Sequence, residues 1–127
     1  MILLGTNVII DLLNNEDDSR WDLLNQEDCV ICGIVISELY SGIRSKKEEK
    51  AVELFVNSLD CLSVEEGDWQ KIGQLISHFK KNGLSVPFQD AVLACLSIKY
   101  GCKILTLDKH FPMMKVLDDR IGLWEVC

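Results

Sequence analysis

Three carboxylates stand apart from the other acids of the chain. Glu38 lies inside the apolar pattern IVISELYSGI, Asp90 opens the nearly all-apolar stretch DAVLACL, and Asp108 follows directly on the core-like run CKILTL. Most other acids fall in charge-rich runs such as NNEDDS at 14–19 and KKEEK at 46–50. Taken singly, each of the three has an ordinary account: a helix surface for Glu38, charge at the positive end of a helix for Asp90, a turn for Asp108. Gathered in one cleft they would repel one another unless protons or cations compensated. Mg²⁺ provides such compensation through one or two direct carboxylates with water completing an octahedral shell, and Mn²⁺ accepts similar ligands. On a phosphodiester, such an ion orients and activates water, polarises a nonbridging oxygen and stabilises the leaving oxygen, without a covalent enzyme intermediate. Neither histidine is needed as the general base. His78 reads as helix packing or surface, and His110, just after Asp108, as surface or a substrate contact.

The elements that must position these acids can be read from periodicity. Residues 2–4 form a short apolar strand, followed by a helix over about 7–13 that Thr6 or Asn7 can cap. A polar break precedes a short helix carrying Trp21, Leu23 and Leu24, and CVIC at 29–32 reads as the second strand. Helices are expected over 34–43, through SKKEEKAVELFVNSL, and over about 68–81, with a brief strand at 61–64. Pro87 suits a first helical turn and Gly101 a helix end, so the next helix runs from about 87 to 100 and sets Asp90 near its positive end. CKILTL is a buried strand, KHFPMM a short segment, and IGLWEV at 121–126 the last strand. Short apolar strands alternating with helices favour one α/β domain over residues 1–127, with a mostly parallel sheet. In that architecture ligands gather beyond the carboxyl ends of strands, where Gly5 and Asp108 both fall.

Charge and composition bound the alternatives. A net charge of −7 disfavours non-specific attraction to a nucleic-acid backbone by the molecule as a whole. A nucleic-acid enzyme would therefore carry a local basic surface, for which Arg44, Lys46, Lys47 and Lys50, the pair Lys80 and Lys81, and Lys109 are candidates beside their plain reading as solvated helix surface. The six cysteines, Cys29, Cys32, Cys61, Cys95, Cys102 and Cys127, are dispersed among apolar residues. With no secretory segment or transmembrane stretch in the sequence, they read as reduced, mostly buried thiols of a cytoplasmic protein. The CxxC spacing of Cys29 and Cys32 does not make a metal pair on a strand, because the two side chains point to opposite faces.

Four segments together carry a family resemblance: LLGTNVIIDLL at 3–13, ISELYSG at 36–42, VPFQDAVLACLSIKYG at 86–101 and ILTLDKHF at 104–111. In these the chain resembles PIN-domain nucleases, specifically the VapC-type toxins of toxin-antitoxin pairs, over essentially its whole length. The resemblance implies a three-layer α/β fold with a central sheet flanked by helices, and a Mg²⁺- or Mn²⁺-dependent endoribonuclease that inhibits translation. Transfer RNA is the expected substrate, with another structured RNA as the alternative. A small VapB-type antitoxin covering the active-site groove and a homodimer are the expected partners, with no membrane. Glu38, Asp90 and Asp108 match the acidic motif positions as metal and catalytic residues, and Thr6, Asn7 and Thr106 match neighbouring polar positions that orient ligands or water. Tyr40, Phe55, Trp69 and Phe79 are interface candidates as well as core candidates.

Gly5 departs from the pattern, which begins hydrophobic-Asp-Thr/Ser. A glycine there supplies no oxygen to a cation, and a strand end before a helix does not by itself demand positive φ. The expectation is therefore an inactive or attenuated chain, through an engineered substitution or natural loss, with an altered but effective metal site as the remaining account. The competing functional classes are a catalytically silent PIN-like regulatory or antitoxin-binding module and a different metal phosphodiesterase.

Overall fold

The first two expected strands, ILL and CVIC, are short apolar runs without polar alternation, the pattern of strands covered on both faces, and both are buried throughout. The computed structural model describes residues 1–125, and in it β1 (Ile2–Leu4), β2 (Cys29–Cys32), β3 (Asp60–Leu62), β4 (Lys103–Leu105) and β5 (Gly122–Leu123) form one sheet in the order β3-β2-β1-β4-β5. All four strand pairings are parallel, with Leu3 opposite Val30 on one side and Ile104 on the other. Parallel neighbours need crossovers, and seven helices supply them: α1 (Thr6–Asn14), α2 (Arg20–Gln26), α3 (Gly33–Ser41), α4 (Lys46–Asn57), α5 (Asp68–Lys81), α6 (Phe88–Tyr100) and α7 (His110–Leu117). The three-layer α/β architecture is as expected. Val126, the last residue of the expected IGLWEV strand, and the Cys127 thiol lie outside the described residues.

Central β1 is where strand order reverses. The chain steps outward through β2 and β3, then returns to the other side of β1 with β4 and β5. The crevice beyond the carboxyl ends of β1 and β4 is thus the topological switch point, the place where open parallel sheets bind ligands.

Helix α6 lies in the core, with every residue from Asp90 to Ser97 buried. Pro87 caps it in an extended conformation, and Gly101 ends it at φ 64°, a left-handed geometry that glycine adopts without steric cost. Ser97 then ties this helix to the sheet: its hydroxyl donates to the Cys102 carbonyl at 2.6 Å and accepts from the Gly122 N–H at 3.0 Å. Gly122 permits a close approach, since a Cβ there would lie 2.8 Å from the Cys102 carbonyl oxygen. The expected KHFPMM segment extends into α7, whose Pro112 falls in the first turn, where its missing N–H costs nothing.

Burial sorts the aromatic candidates. Phe79 and Phe55 are core residues, whereas Tyr40 and Trp69 are exposed. Four of the thiols, Cys29, Cys32, Cys95 and Cys102, are free and buried, while Cys61 is free and exposed. Burial pushes each of these five thiols up from its ordinary value. Among the described residues no helix is long and apolar enough to cross a membrane.

Candidate metal centre

The switch-point crevice is built from the ends of β1 and β4 and the helices that leave them. Gly5 follows β1, donates its N–H to the Leu105 carbonyl at 2.9 Å and caps α1 with φ −81° and ψ 158°. Any residue can adopt that backbone, so conformation does not dictate glycine here. Space is tight instead: a Cβ at residue 5 would lie 3.3 Å from both the Leu105 carbonyl oxygen and Thr106 Oγ1.

Thr6, in the first turn of α1, donates its hydroxyl to Glu38 Oε1 at 2.9 Å and so fixes a carboxylate carried by α3. Thr106 Oγ1 accepts the Asp108 N–H at 3.0 Å, shaping the turn after β4. Asp108 Oδ1 in turn accepts the backbone N–H of His110 at 2.9 Å, a short loop closure that also starts α7. A cavity of about 130 Å³ lies among these groups, lined by Gly5, Thr6, Glu38, Asp90, Thr106 and Asp108 with their neighbours. The structure therefore brings Glu38, Asp90 and Asp108 to one crevice, with Thr6 and Thr106 holding two of them. Asn7 also lines the cavity, although it is exposed.

The tightest grouping differs from the expected trio. Asp90, Asp108 and His110 each offer one ligand atom, and these atoms lie within 4.8 Å of one another. His110 Nδ1 stands 2.7 Å from Asp108 Oδ1 and 3.5 Å from Asp90 Oδ2. Glu38 lies outside this close set, although it lines the same cavity.

Electrostatics show what the cluster lacks. Asp90 is 7% exposed, and its Oδ2 is buried without a hydrogen-bond partner. Burial first, then the adjoining Asp108 carboxylate, pushes Asp90 up to about 7. Burial acts on Asp108 in the same raising direction but is outweighed by the hydrogen bond from the His110 backbone N–H and by the adjoining Asp90 and His110 side chains, which hold Asp108 below the ordinary carboxylate range. A divalent cation would satisfy the orphaned oxygen and relieve the carboxylate repulsion, so the donor set suits Mg²⁺ or Mn²⁺.

The expectation that Gly5 leaves this chain inactive or weakened is corrected by that cluster. The metal-binding set is intact without position 5, because the Asp108 turn delivers an imidazole two residues on. His110 is the site residue that sequence reasoning missed. The Asp-x-His spacing at a strand-to-helix turn was the available signal.

A PIN-domain family model matches residues 2–117. The chain belongs to the PIN-domain family. Among solved structures this PIN domain is similar to a chain of VapBC2 from Rickettsia felis, bound to a DNA fragment from their promoter, with a TM-score of 0.83, 21% identity, and 98% of this chain and 100% of that chain covered. It is equally similar to a chain of DNA-bound VapBC from Salmonella typhimurium, with a TM-score of 0.83, 22% identity, and coverage of 99% and 98%. A chain of FitAcB from Neisseria gonorrhoeae gives a TM-score of 0.72 at 20% identity, with coverage of 98% and 97%. No curated protein sequence matches significantly. At these identities the likeness speaks to the shared fold, and the PIN crevice described above carries the chemistry.

Proposed function

We propose that this PIN domain is a metal-dependent endoribonuclease of the VapC type, active as it stands, that hydrolyses RNA phosphodiester bonds and is restrained by a small antitoxin. The observation that carries this reading is the buried, unpartnered Asp90 Oδ2 beside Asp108 and His110 at the switch-point crevice. Asp90, Asp108 and His110 would hold a Mg²⁺ or Mn²⁺ ion there, which would supply charge compensation for the scissile phosphate and acidify water. Asp90 and Asp108 hold that charge. Glu38, oriented by the Thr6 hydroxyl in the same crevice, positions the attacking water and accepts its proton. The crevice is small, about 130 Å³, which suits a phosphodiester of an unpaired strand better than a regular duplex.

The antitoxin reading is supported by a groove along α1, α3 and α4, of which α1 carries Thr6 and α3 carries Glu38. Ile10, Leu13, Leu39, Ile43 and Val52 line a groove of about 570 Å³ whose charged edge is Arg44, Lys47 and Glu48, cationic on balance. An acidic-edged amphipathic segment of a partner would pair its apolar side with the groove and its charge with those cations. Transfer RNA is the substrate proposed, and a homodimer the proposed assembly. Incubating the purified chain with a mixed transfer-RNA pool plus Mn²⁺ or Mg²⁺ tests the activity. Cleavage abolished by chelator and by Asp90→Asn supports it, and metal-independent cleavage, or none across a broad RNA panel, contradicts it.

A further inference from the structure

We propose that His110 is a metal ligand whose imidazole takes the place of the carboxylate absent at position 5, and that this nitrogen makes the site select Mn²⁺ over Mg²⁺. The inference rests on the metal-centre reading and adds the identity of the third donor and its consequence.

The spacing of the donors carries it. Adjacent ligands of an octahedral ion with bonds of about 2.1 Å lie about 3 Å apart. Nδ1 of His110 is 2.7 Å from Asp108 Oδ1 and 3.5 Å from Asp90 Oδ2, which brackets that edge on both sides. The imidazole is held in place from its own backbone, because the His110 N–H donates to Asp108 Oδ1 at 2.9 Å as α7 begins. Without an ion, Nδ1 hydrogen-bonds Asp108 Oδ1 at 2.7 Å, a contact that a bound cation would replace with release of the shared proton, while Asp90 Oδ2, 3.5 Å from Nδ1, is buried with no hydrogen-bond partner. A cation seated between the three groups uses that oxygen. Gly5, in the same crevice, contributes no side-chain ligand atom, and the place where a side chain would start is crowded by the Leu105 carbonyl and Thr106 Oγ1.

The consequence follows from donor chemistry. Mg²⁺ favours an all-oxygen shell and gives up water reluctantly, whereas Mn²⁺, though it too favours oxygen, is a transition ion that admits a nitrogen donor beside carboxylates more readily than Mg²⁺ does. Two carboxylates, one imidazole and water still make a six-coordinate set that Mn²⁺ accepts. Exchanging the imidazole for a carboxylate would return the site to an all-oxygen set.

The test reads the metal directly. Pulsed electron paramagnetic resonance on the Mn²⁺-loaded chain is expected to show coupling from a directly bound ¹⁴N, and His110→Asp is expected to abolish it. Calorimetry on the same proteins is expected to give the unmodified chain about tenfold or greater preference for Mn²⁺ over Mg²⁺, narrowed to a few-fold in His110→Asp. Thermal melting of both proteins establishes that the variant is folded, and His110→Ala serves in its place if it is not. Mn²⁺ bound without the ¹⁴N coupling, or an unchanged preference in the variant, overturns the inference while leaving the metal centre standing. Failure of the unmodified chain to bind either ion overturns both.

Discussion

Thr6 and Glu38, 32 residues apart in the chain, meet through a 2.9 Å hydrogen bond from the threonine hydroxyl to Glu38 Oε1. This contact links the first turn after the central strand to the middle of α3, so the Glu38 carboxylate has a fixed direction in the crevice it shares with Asp90 and Asp108. Thr6→Val keeps the shape and removes the donor. Its expected effect is a fall in kcat of about tenfold with little change in KM, since the bond orients a reacting group more than it binds substrate. Steady-state kinetics on a defined RNA checks it, and a pure KM effect would assign Thr6 to substrate binding instead.

Asp90 gives a pH signature that does not depend on substrate. Its pKa in the folded, metal-free chain is raised from the ordinary 3.8 to about 7. Between those values the folded state binds more protons than the unfolded state, so the contribution is full below about pH 4 and is lost as pH rises through 7. Chemical denaturation of the metal-free protein should show stability falling over that window by about 2 to 4 kcal/mol from this group. Asp90→Asn should remove most of that slope, and Mn²⁺ should restore stability at pH 8. An identical slope in the variant would locate the titration elsewhere.

Ser97 offers a test of the frame that carries the site. Its buried hydroxyl serves the Cys102 carbonyl and the Gly122 N–H together, at the junction of α6, β4 and β5. Ser97→Ala strands both backbone groups and should cost about 2 kcal/mol in denaturant unfolding, with metal affinity nearly unchanged. A change below about 0.5 kcal/mol would show that water replaces the hydroxyl.

The fold was legible because its signals are local. ILL and CVIC are apolar on both faces, as central parallel strands must be, Ile104 and Leu105 of KIL are buried beside them, and Pro87 and Gly101 bracket α6 within a residue of its observed ends. Asp90 and Asp108 stood out as lone acids in apolar surroundings, which is how a buried metal centre looks in sequence. His110 did not, because its value as a donor depends on the loop in which Asp108 accepts the His110 N–H and turns the imidazole back toward Asp90. Counting carboxylates therefore misjudged Gly5: the loss of an oxygen was visible, whereas the nitrogen near the other two acids depended on a turn geometry that residue types alone do not specify.

The central claim is that this chain, with glycine at position 5, forms a working metal centre. The most direct measurement is cleavage of a mixed transfer-RNA pool by the unmodified protein with Mn²⁺, beside the same reaction with chelator and with Asp90→Asn and Asp108→Asn. Cleavage by the unmodified chain that chelator abolishes, and that each variant lowers by about a hundredfold or more, is the predicted result. A folded, metal-bound chain that leaves RNA intact until Gly5 is replaced by Asp would contradict it.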